Sequence, residues 1–199
     1  LSEKYIQDSN LSFQWFQEAT ETYQQIYSQK SLSLSQQLAF DRGSFATLLG
    51  MEINEADSVL NLTGIGDSLL VIMDGNHIIS TFPYSDPDQY LEKPTLVSTL
   101  PDMNQPLWMA PDLWRKTFYL EKIKKPCLLC MTDAVGEWFL RMKTEKDLSY
   151  LDLLSFRDSE EYEKYIQNLR EMKKIRTDDS TLIVIKIKPG KGIRHVSLS

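Results

Sequence analysis

The sequence is poor in the residues that most often carry catalysis and metal binding. Its 199 residues include only two cysteines and two histidines. It contains no Gly-x-Ser-x-Gly elbow and no Gly-x-x-x-x-Gly-Lys loop, so nothing supports a serine hydrolase or a P-loop nucleotide site. Cys127 and Cys130 lie three positions apart in an apolar run, and on a strand they would point to opposite faces. We therefore expect core cysteines rather than a zinc or redox site.

Long apolar runs and an excess of positive charge are also missing. The apolar runs are too short for a transmembrane helix, and the first residues lack the charged and apolar regions of a signal peptide. The 28 acidic residues outnumber the 22 basic ones, which disfavours nucleic acid as a partner because binding to phosphates depends on basic side chains. With two cysteines outside any disulfide framework, these absences predict a cytoplasmic protein without membrane or nucleic-acid partners.

The patterns that are present predict an α+β fold. From Ser44 onward, short apolar runs are bounded by turn residues, and Asp74-Gly75-Asn76 predicts a hairpin turn. The runs PCLLCMT and STLIVIKIK predict two further strands. Helical spacing of aromatic residues near the N-terminus, and the capping-box-like pair Asp158 and Glu161, predict amphipathic helices. Strands and helices do not alternate regularly, which favours antiparallel sheets flanked by helices over a parallel sheet.

Two segments are predicted to lack regular structure. The first is the proline-rich stretch from Tyr84 to Trp108, called the flap loop below, for which contact with a substrate or partner is one interpretation and a plain surface insertion is another. The second is a polar tail over residues 189–199. We expect the whole chain, 1–199, to form a single domain.

The candidate site residues are aspartates next to predicted strands. Asp67 lies in GIGDS between two strands, Asp133 lies in CMTDA where a strand ends, and Asp178 and Asp179 lie in RTDDST before the last strand. Carboxylates from separate strands could meet and bind a hard divalent cation such as Mg²⁺ or Mn²⁺. The alternative is that these aspartates only stabilise turns by bonding their own backbone.

Four segments, in this order, resemble motifs of the metal-dependent type 2C (PPM-type) serine/threonine protein phosphatases, in a divergent bacterial-like form. GSFATLLGMEI (43–53) is similar to the family's Gly-Ser-x-Ala strand, and LTGIGDSLLVIMDG (62–75) to its Gly-Asp-Ser strand and following hairpin. CLLCMTDAVGEWF (127–139) is similar to the strand that ends in Ser-Asp-Gly. RTDDSTLIVIKI (176–187) is similar to the closing Asp-Asn-x-Thr strand. The resemblance covers about residues 40 to 188.

The resemblance implies a sandwich of two packed antiparallel sheets flanked by helices, in four layers. It also implies a centre of two or more Mn or Mg ions that hydrolyses phosphoserine and phosphothreonine in a phosphoprotein substrate by means of an activated water. Carried over residue by residue, Asp133, Asp178 and Asp67 would be metal ligands. Asp179 would orient the carboxylate of Asp178 without itself binding a metal ion.

The chain departs from the family pattern at two of these motifs and upstream of all four. Ser-Asp-Gly is replaced by Thr132-Asp133-Ala134, and Asp-Asn by Asp178-Asp179, although both keep the ligand acid. Nothing between Leu1 and Gly43 matches the family's early arginine, acidic and Asp-Gly motifs. We therefore expect the C-terminal majority of a phosphatase domain, incomplete at its N-terminus. The alternatives are an inactive phosphatase-like module that binds a phosphoprotein or signalling partner, and an unrelated α+β interaction domain.

Overall fold

The computed structural model describes residues 13–54, 58–188 and 192–198. Within these ranges the helices are α1 (Phe13–Ser28), α2 (Leu34–Arg42), α3 (Gln105–Met109), α4 (Asp133–Glu145) and α5 (Ser159–Glu171). The strands are β1 (Phe45–Ala46), β2 (Leu48–Asn54), β3 (Val59–Ile65), β4 (Leu69–Asp74), β5 (His77–Phe82), β6 (Val97–Ser98), β7 (Arg115–Tyr119), β8 (Pro126–Met131), β9 (Leu182–Lys188) and β10 (Gly192–Leu198).

All the strand pairs in these ranges are antiparallel, as predicted. The main sheet has the order β10-β9-β8-β4-β5, and two smaller sheets have the orders β2-β3-β7 and β1-β6. The predicted hairpin joins β4 to β5, where Asp74 pairs with His77. Gly75 adopts φ +58° at this turn, a left-handed conformation that glycine tolerates without strain.

Alternation along the central strands separates two cores. Leu70 and Ile72 of β4 face the sheet formed by β2, β3 and β7, where they pack with Leu60 and Leu62. The residues that point to the other face of β4 pack against helices α4 and α5, which contribute Trp138, Phe139, Tyr162 and Ile166. The apolar runs of β4 and β8 are thus buried on both sides, which is why neither shows the alternation of a half-exposed strand.

The two cysteines of β8 lie in different cores, as their spacing predicts. Cys127 packs on the helix side of the main sheet and Cys130 on the side of the smaller sheet. Both are free thiols, and burial raises the pKa of Cys130 to about 12. Opposite faces and protonated sulfur make a shared ion implausible, since metals bind the thiolate.

The N-terminal helix α1 closes a third cluster beside the smaller sheets. Trp15 and Phe16 are buried against Ile65, Val97 and Leu107. The predicted helix is confirmed, although Ile26, which lies on the same helical spacing as the aromatic residues, is 51% exposed. Tyr23 and Tyr27, farther along the helix, stack on Phe40 of α2.

Four parts of the structure differ from the sequence predictions. Residues 192–198, expected within a polar tail, form β10 and pair with β9 along its length. Helix α2 and strand β7 were not predicted. The flap loop contains the 3₁₀ turns Pro87–Leu91 and Pro101–Asn104 as well as β6 and α3, so it is an ordered segment rather than an irregular insertion.

The fold is therefore α+β, with antiparallel sheets and flanking helices, as predicted. The outer face of the three-stranded sheet carries three exposed residues that pair across neighbouring strands, Glu52, Asn61 and Thr117. No helix across the described ranges is both long enough and apolar enough to span a bilayer.

Candidate functional site

Strand register brings the predicted aspartates to one end of the main sheet. Leu69 at the start of β4 pairs with Met131 at the end of β8, and Met131 in turn pairs with Leu182 at the start of β9. Asp67 lies two residues before β4, and Asp133 lies two residues after β8 ends. Asp178 lies four residues before β9. Because neighbouring strands run antiparallel, all three segments leave the sheet at the same edge.

The carboxylates at this edge share one electrostatic environment. The pKa of Asp67 is raised above its ordinary value of 3.8, chiefly by burial and next by the negative charge of Asp133. Asp178 adds a smaller increase, while the positive charge of Arg176 acts in the opposite direction. We call Asp67, Asp133 and Asp178 the aspartate cluster, since the charges of Asp133 and Asp178 both act on Asp67 from separate segments of the chain.

Side chains from neighbouring elements hold the segment that carries Asp178. The Thr132 hydroxyl donates to the carbonyl oxygen of Asp179 over 2.9 Å, and it accepts from the Thr181 amide over 3.0 Å. On the other side, Arg170 of α5 donates to the carbonyl oxygen of Asp178 and to the Ser180 hydroxyl. The segment before β9 is therefore hydrogen-bonded both to the end of β8 and to α5.

Each strand-end aspartate also makes a local backbone bond of the kind expected in a turn. The Ala134 amide donates to Oδ1 of Asp133, and the Asp179 amide donates to Oδ1 of Asp178, both over 2.8 Å. Asp179 thus contributes its amide and its carbonyl oxygen to this region, while its own side chain is exposed. The second oxygen of Asp133, Oδ2, accepts a charged hydrogen bond from Arg176.

The carboxylate oxygens of the cluster are suitable ligands for a divalent cation, but the described side chains do not form a complete set of ligands. Carboxylate oxygens are the ligands that Mg²⁺ and Mn²⁺ prefer. Burial first and the negative charge of Asp133 second raise the pKa of Asp67, and a bound cation would offset the second of these effects. Nevertheless, in the part of the chain that the structure describes, no three His, Cys, Asp or Glu side chains are gathered closely enough to hold a metal ion.

Two tyrosines from the flap loop cover the cluster. Tyr84 and Tyr90 form an edge-to-face pair with ring centroids 4.8 Å apart. Burial, followed by the negative charge of Asp67, raises the pKa of both phenols. The Tyr90 hydroxyl is buried and makes no hydrogen bond to any residue in the described ranges.

Gly136 in the first turns of α4 leaves the space that Tyr90 occupies. A Cβ atom at this position would lie 2.3 Å from the Tyr90 hydroxyl oxygen and 2.9 Å from Cβ of Leu69. Leu69 is fully buried at the start of β4 and has no room to retreat. The glycine therefore allows the flap loop to pack directly over the helix that begins with Asp133.

An open cleft of about 310 Å³ adjoins the cluster. Its walls include Gly66, which precedes Asp67, and residues from both ends of the flap loop, among them Tyr84, Lys93 and Leu107. Trp114 closes one side, and its indole donates to the carbonyl oxygen of Leu107. The flap loop thus forms one wall of a cleft that reaches Gly66, the residue before Asp67, although none of the three cluster aspartates lines it.

Sequence reasoning missed the residues that surround the cluster. Arg170, Tyr84 and Tyr90 reach the site from elements distant in sequence, and no local pattern marks them. Arg176 carried a usable signal, because it stands two residues before Asp178 within the quoted motif.

Comparison with known proteins identifies no matching family model, no matching curated protein and no matching solved structure. The likeness to PPM-type phosphatases therefore rests on the four sequence motifs.

Replacing Asp67 by asparagine should change how stability depends on pH. Since the folded-state pKa of Asp67 is raised, its contribution is fully present below the unfolded pKa of about 4 and is lost as the pH rises through the folded pKa. Without added metal, Asp67→Asn should flatten this decline and raise Tm at neutral pH by about 1 °C, a small gain because the pocket is partly open to solvent. Thermal unfolding across about pH 4 to 8 measures both effects. Identical profiles for the two proteins would contradict the shared environment.

Proposed function

We propose that this chain is a Mn- or Mg-dependent protein phosphatase of the PPM type that hydrolyses phosphoserine and phosphothreonine in proteins. The observation that supports this most strongly is the meeting of Asp67, Asp133 and Asp178 at one end of three adjacent strands. These are the three positions at which the sequence resembles the family's ligand motifs. An accidental resemblance gives no reason for all three to emerge at the same edge of one sheet.

The chain's own residues would hold and orient the ions. Asp67, Asp133 and Asp178 would supply carboxylate oxygens, and the Asp179 amide would fix the rotation of Asp178 through its bond to Oδ1. Thr132 and Arg170 would keep the loop before β9 in place. When bound, two or more such ions supply Lewis-acid chemistry, lowering the pKa of a coordinated water and offsetting charge on the phosphoryl oxygens.

The cleft beside the flap loop is the proposed path for the substrate peptide. It begins at Gly66 and passes the exposed residues Glu92 and Lys93. Lys93 offers a positive charge to an anionic side chain, while the prolines and Trp114 offer apolar contacts along the cleft. Tyr90, whose hydroxyl is buried, would limit access of water to the cluster from the flap side.

A second candidate function is a phosphatase-like module that binds a phosphoprotein or signalling partner without turnover. Two observations favour it. Arg176 engages Asp133, and no closed ligand group of three side chains occurs across the described ranges. In this alternative, the positive charge beside Asp133 would be used to bind a phosphoryl group rather than being displaced by a metal.

Phosphate release from a phosphothreonine peptide separates the two candidates. The phosphatase should release phosphate when Mn²⁺ is supplied and stop when the ion is chelated. The binding module should instead show heat of peptide binding by calorimetry with no phosphate released at any Mn²⁺ concentration. That second result would contradict the proposed enzyme activity.

A further inference from the structure

We propose that a cavity at the end of the main sheet opposite the aspartate cluster binds a small organic anion that carries an apolar group, such as an aryl phosphate, phosphonate or carboxylate. The cavity shares no residue with the aspartate cluster or with the cleft beside the flap loop. The inference is therefore independent of the proposed phosphatase activity. Its basis is the meeting of three lysines and several apolar side chains around one concave site.

Strand register builds this cavity, which we call the lysine cavity. It lies where β4 ends, β8 begins and β9 nears its end, so that the turn residues Gly75 and Asn76 come beside Pro126 and Lys186. Cys127, the second residue of β8, pairs with Lys186 of β9. The cavity has a volume of about 460 Å³, which is within the range of about 300–1,000 Å³ that small-molecule sites occupy.

The charge around the lysine cavity is positive. Lys124, Lys125 and Lys186 line it, and none of the described residues that line it is acidic. Within the described ranges, no ion pair engages any of the three lysines. Asp74, which precedes the turn, directs Oδ1 to the Lys125 amide over 2.7 Å rather than to an ammonium group. In a chain with a net charge of −6, three such lysines at one concave site favour an anionic ligand.

Apolar side chains form one wall of the lysine cavity. Pro126 and Cys127 are buried, and Leu154, at the end of the 3₁₀ helix Leu148–Leu154, packs against the helix-side core. Lys186 reaches this wall, because its Nζ donates to the carbonyl oxygen of Leu154 over 3.4 Å. Its positive charge also acts on the Cys127 thiol and opposes the rise in pKa that burial causes there. A ligand with both an anionic and an apolar group would contact both parts of the cavity.

The test is an amide NMR titration of the wild-type chain with phenylphosphonate, which carries one phenyl ring and one phosphonate group. Its carbon–phosphorus bond is not a phosphate ester, so the proposed phosphatase activity would not consume it. The backbone amide signals of Gly75, Asn76 and Lys125 should shift together with a Kd that is roughly millimolar, as expected for a ligand of about ten heavy atoms. Benzyl alcohol, which lacks the charge, and inorganic phosphate, which lacks the ring, should each bind about 3-fold or more weakly.

Four variants locate the binding. Lys186→Gln removes one charge from the lysine cavity and should weaken phenylphosphonate binding about 3-fold or more, whereas Lys186→Arg keeps the charge and should preserve binding. Lys164→Gln removes a charge from an exposed pair on α5, and Lys93→Gln removes one from the cleft beside the flap loop. Both of these control variants should bind phenylphosphonate as tightly as wild type does.

Three results would overturn the inference. The first is the absence of shifts at Gly75, Asn76 and Lys125. The second is unchanged affinity in Lys186→Gln, or an equal loss in Lys164→Gln or Lys93→Gln, which would indicate a general effect of net charge or binding at the flap cleft. The third is binding of benzyl alcohol or inorganic phosphate as tight as that of phenylphosphonate. None of these results bears on Mn²⁺ binding by the aspartate cluster, so failure here leaves the proposed function in place.

Discussion

The Asp133→Asn variant is expected to lose Mn²⁺-dependent dephosphorylation of a phosphothreonine peptide by a factor of about 100 or more, since a metal contributes several kcal/mol of charge stabilisation to such a reaction. Asparagine keeps the size and shape of the side chain but removes the negative charge. Asp133 follows the end of β8 by two residues and begins α4, so its position is set by two elements of the core. The substitution therefore tests charge at a fixed point.

A matched Asp→Asn change at the other end of the same sheet provides the control. Asp74 ends β4 at the hairpin, where its Oδ1 accepts from the Lys125 amide over 2.7 Å. An asparagine side chain can still accept that bond, so Asp74→Asn should keep both fold and activity. Full activity in the Asp133→Asn variant would show that the charge of Asp133 takes no part in the reaction.

Replacing Gly136 by alanine is expected to destabilise the protein by about 1–3 kcal/mol, the usual cost of overfilling a packed site. In an open helix the same change would stabilise by up to about 1 kcal/mol, because alanine is the better helix former. Here the new Cβ would meet the Tyr90 hydroxyl oxygen at 2.3 Å and Cβ of Leu69 at 2.9 Å. The predicted change in stability is therefore opposite in sign to the change that helix propensity alone would give.

A second substitution isolates the contact with Tyr90. Tyr90→Phe alone should cost little, because the hydroxyl makes no hydrogen bond within the described ranges. Combined with Gly136→Ala, it should restore part of the lost stability, since the nearest atom is gone while Leu69 remains. Urea unfolding of the four proteins gives the coupling energy. A Gly136→Ala protein more stable than wild type would show that the flap loop does not pack on α4.

The strand ends and their aspartates could be predicted because each has a local signal. Turn residues bound every apolar run, and antiparallel neighbours necessarily return to a common edge. For neighbouring strands, these two facts bring Asp67, Asp133 and Asp178 to one side of the sheet. That β4, β8 and β9 are neighbours has no local signal, and the structure shows it by placing Leu69, Met131 and Leu182 in one row of the main sheet.

The partners of the aspartates could not be predicted in the same way. Arg176 bonds Asp133 across 43 positions of sequence, and Tyr90 reaches Gly136 through a loop whose path depends on the third core cluster. Such contacts follow from tertiary packing and leave no periodic pattern. From the sequence, Gly136 could be assigned only to a helix. No local pattern shows that the absence of a side chain at this position makes room for the ring of Tyr90.

Two elements were missed for a different reason. Helix α2 has no buried residue in the structure, so it lacks the apolar stripe by which helices are recognised. Its readable signal was the capping box of Ser33 and Gln36, which the structure contains. Strand β7 reads RKTFY, and its exposed charged residues hide a strand that pairs with β3 along one edge.

Mn²⁺ binding to the aspartate cluster is the central claim, and electron paramagnetic resonance of the free ion measures it without any assay of activity. Wild type should remove Mn²⁺ from solution. Asp67→Asn, Asp133→Asn and Asp178→Asn should each weaken that binding about 10-fold or more, as loss of a charged ligand does, while Asp74→Asn should leave it unchanged. Equal binding by wild type and all three cluster variants, or none by wild type, would contradict the account.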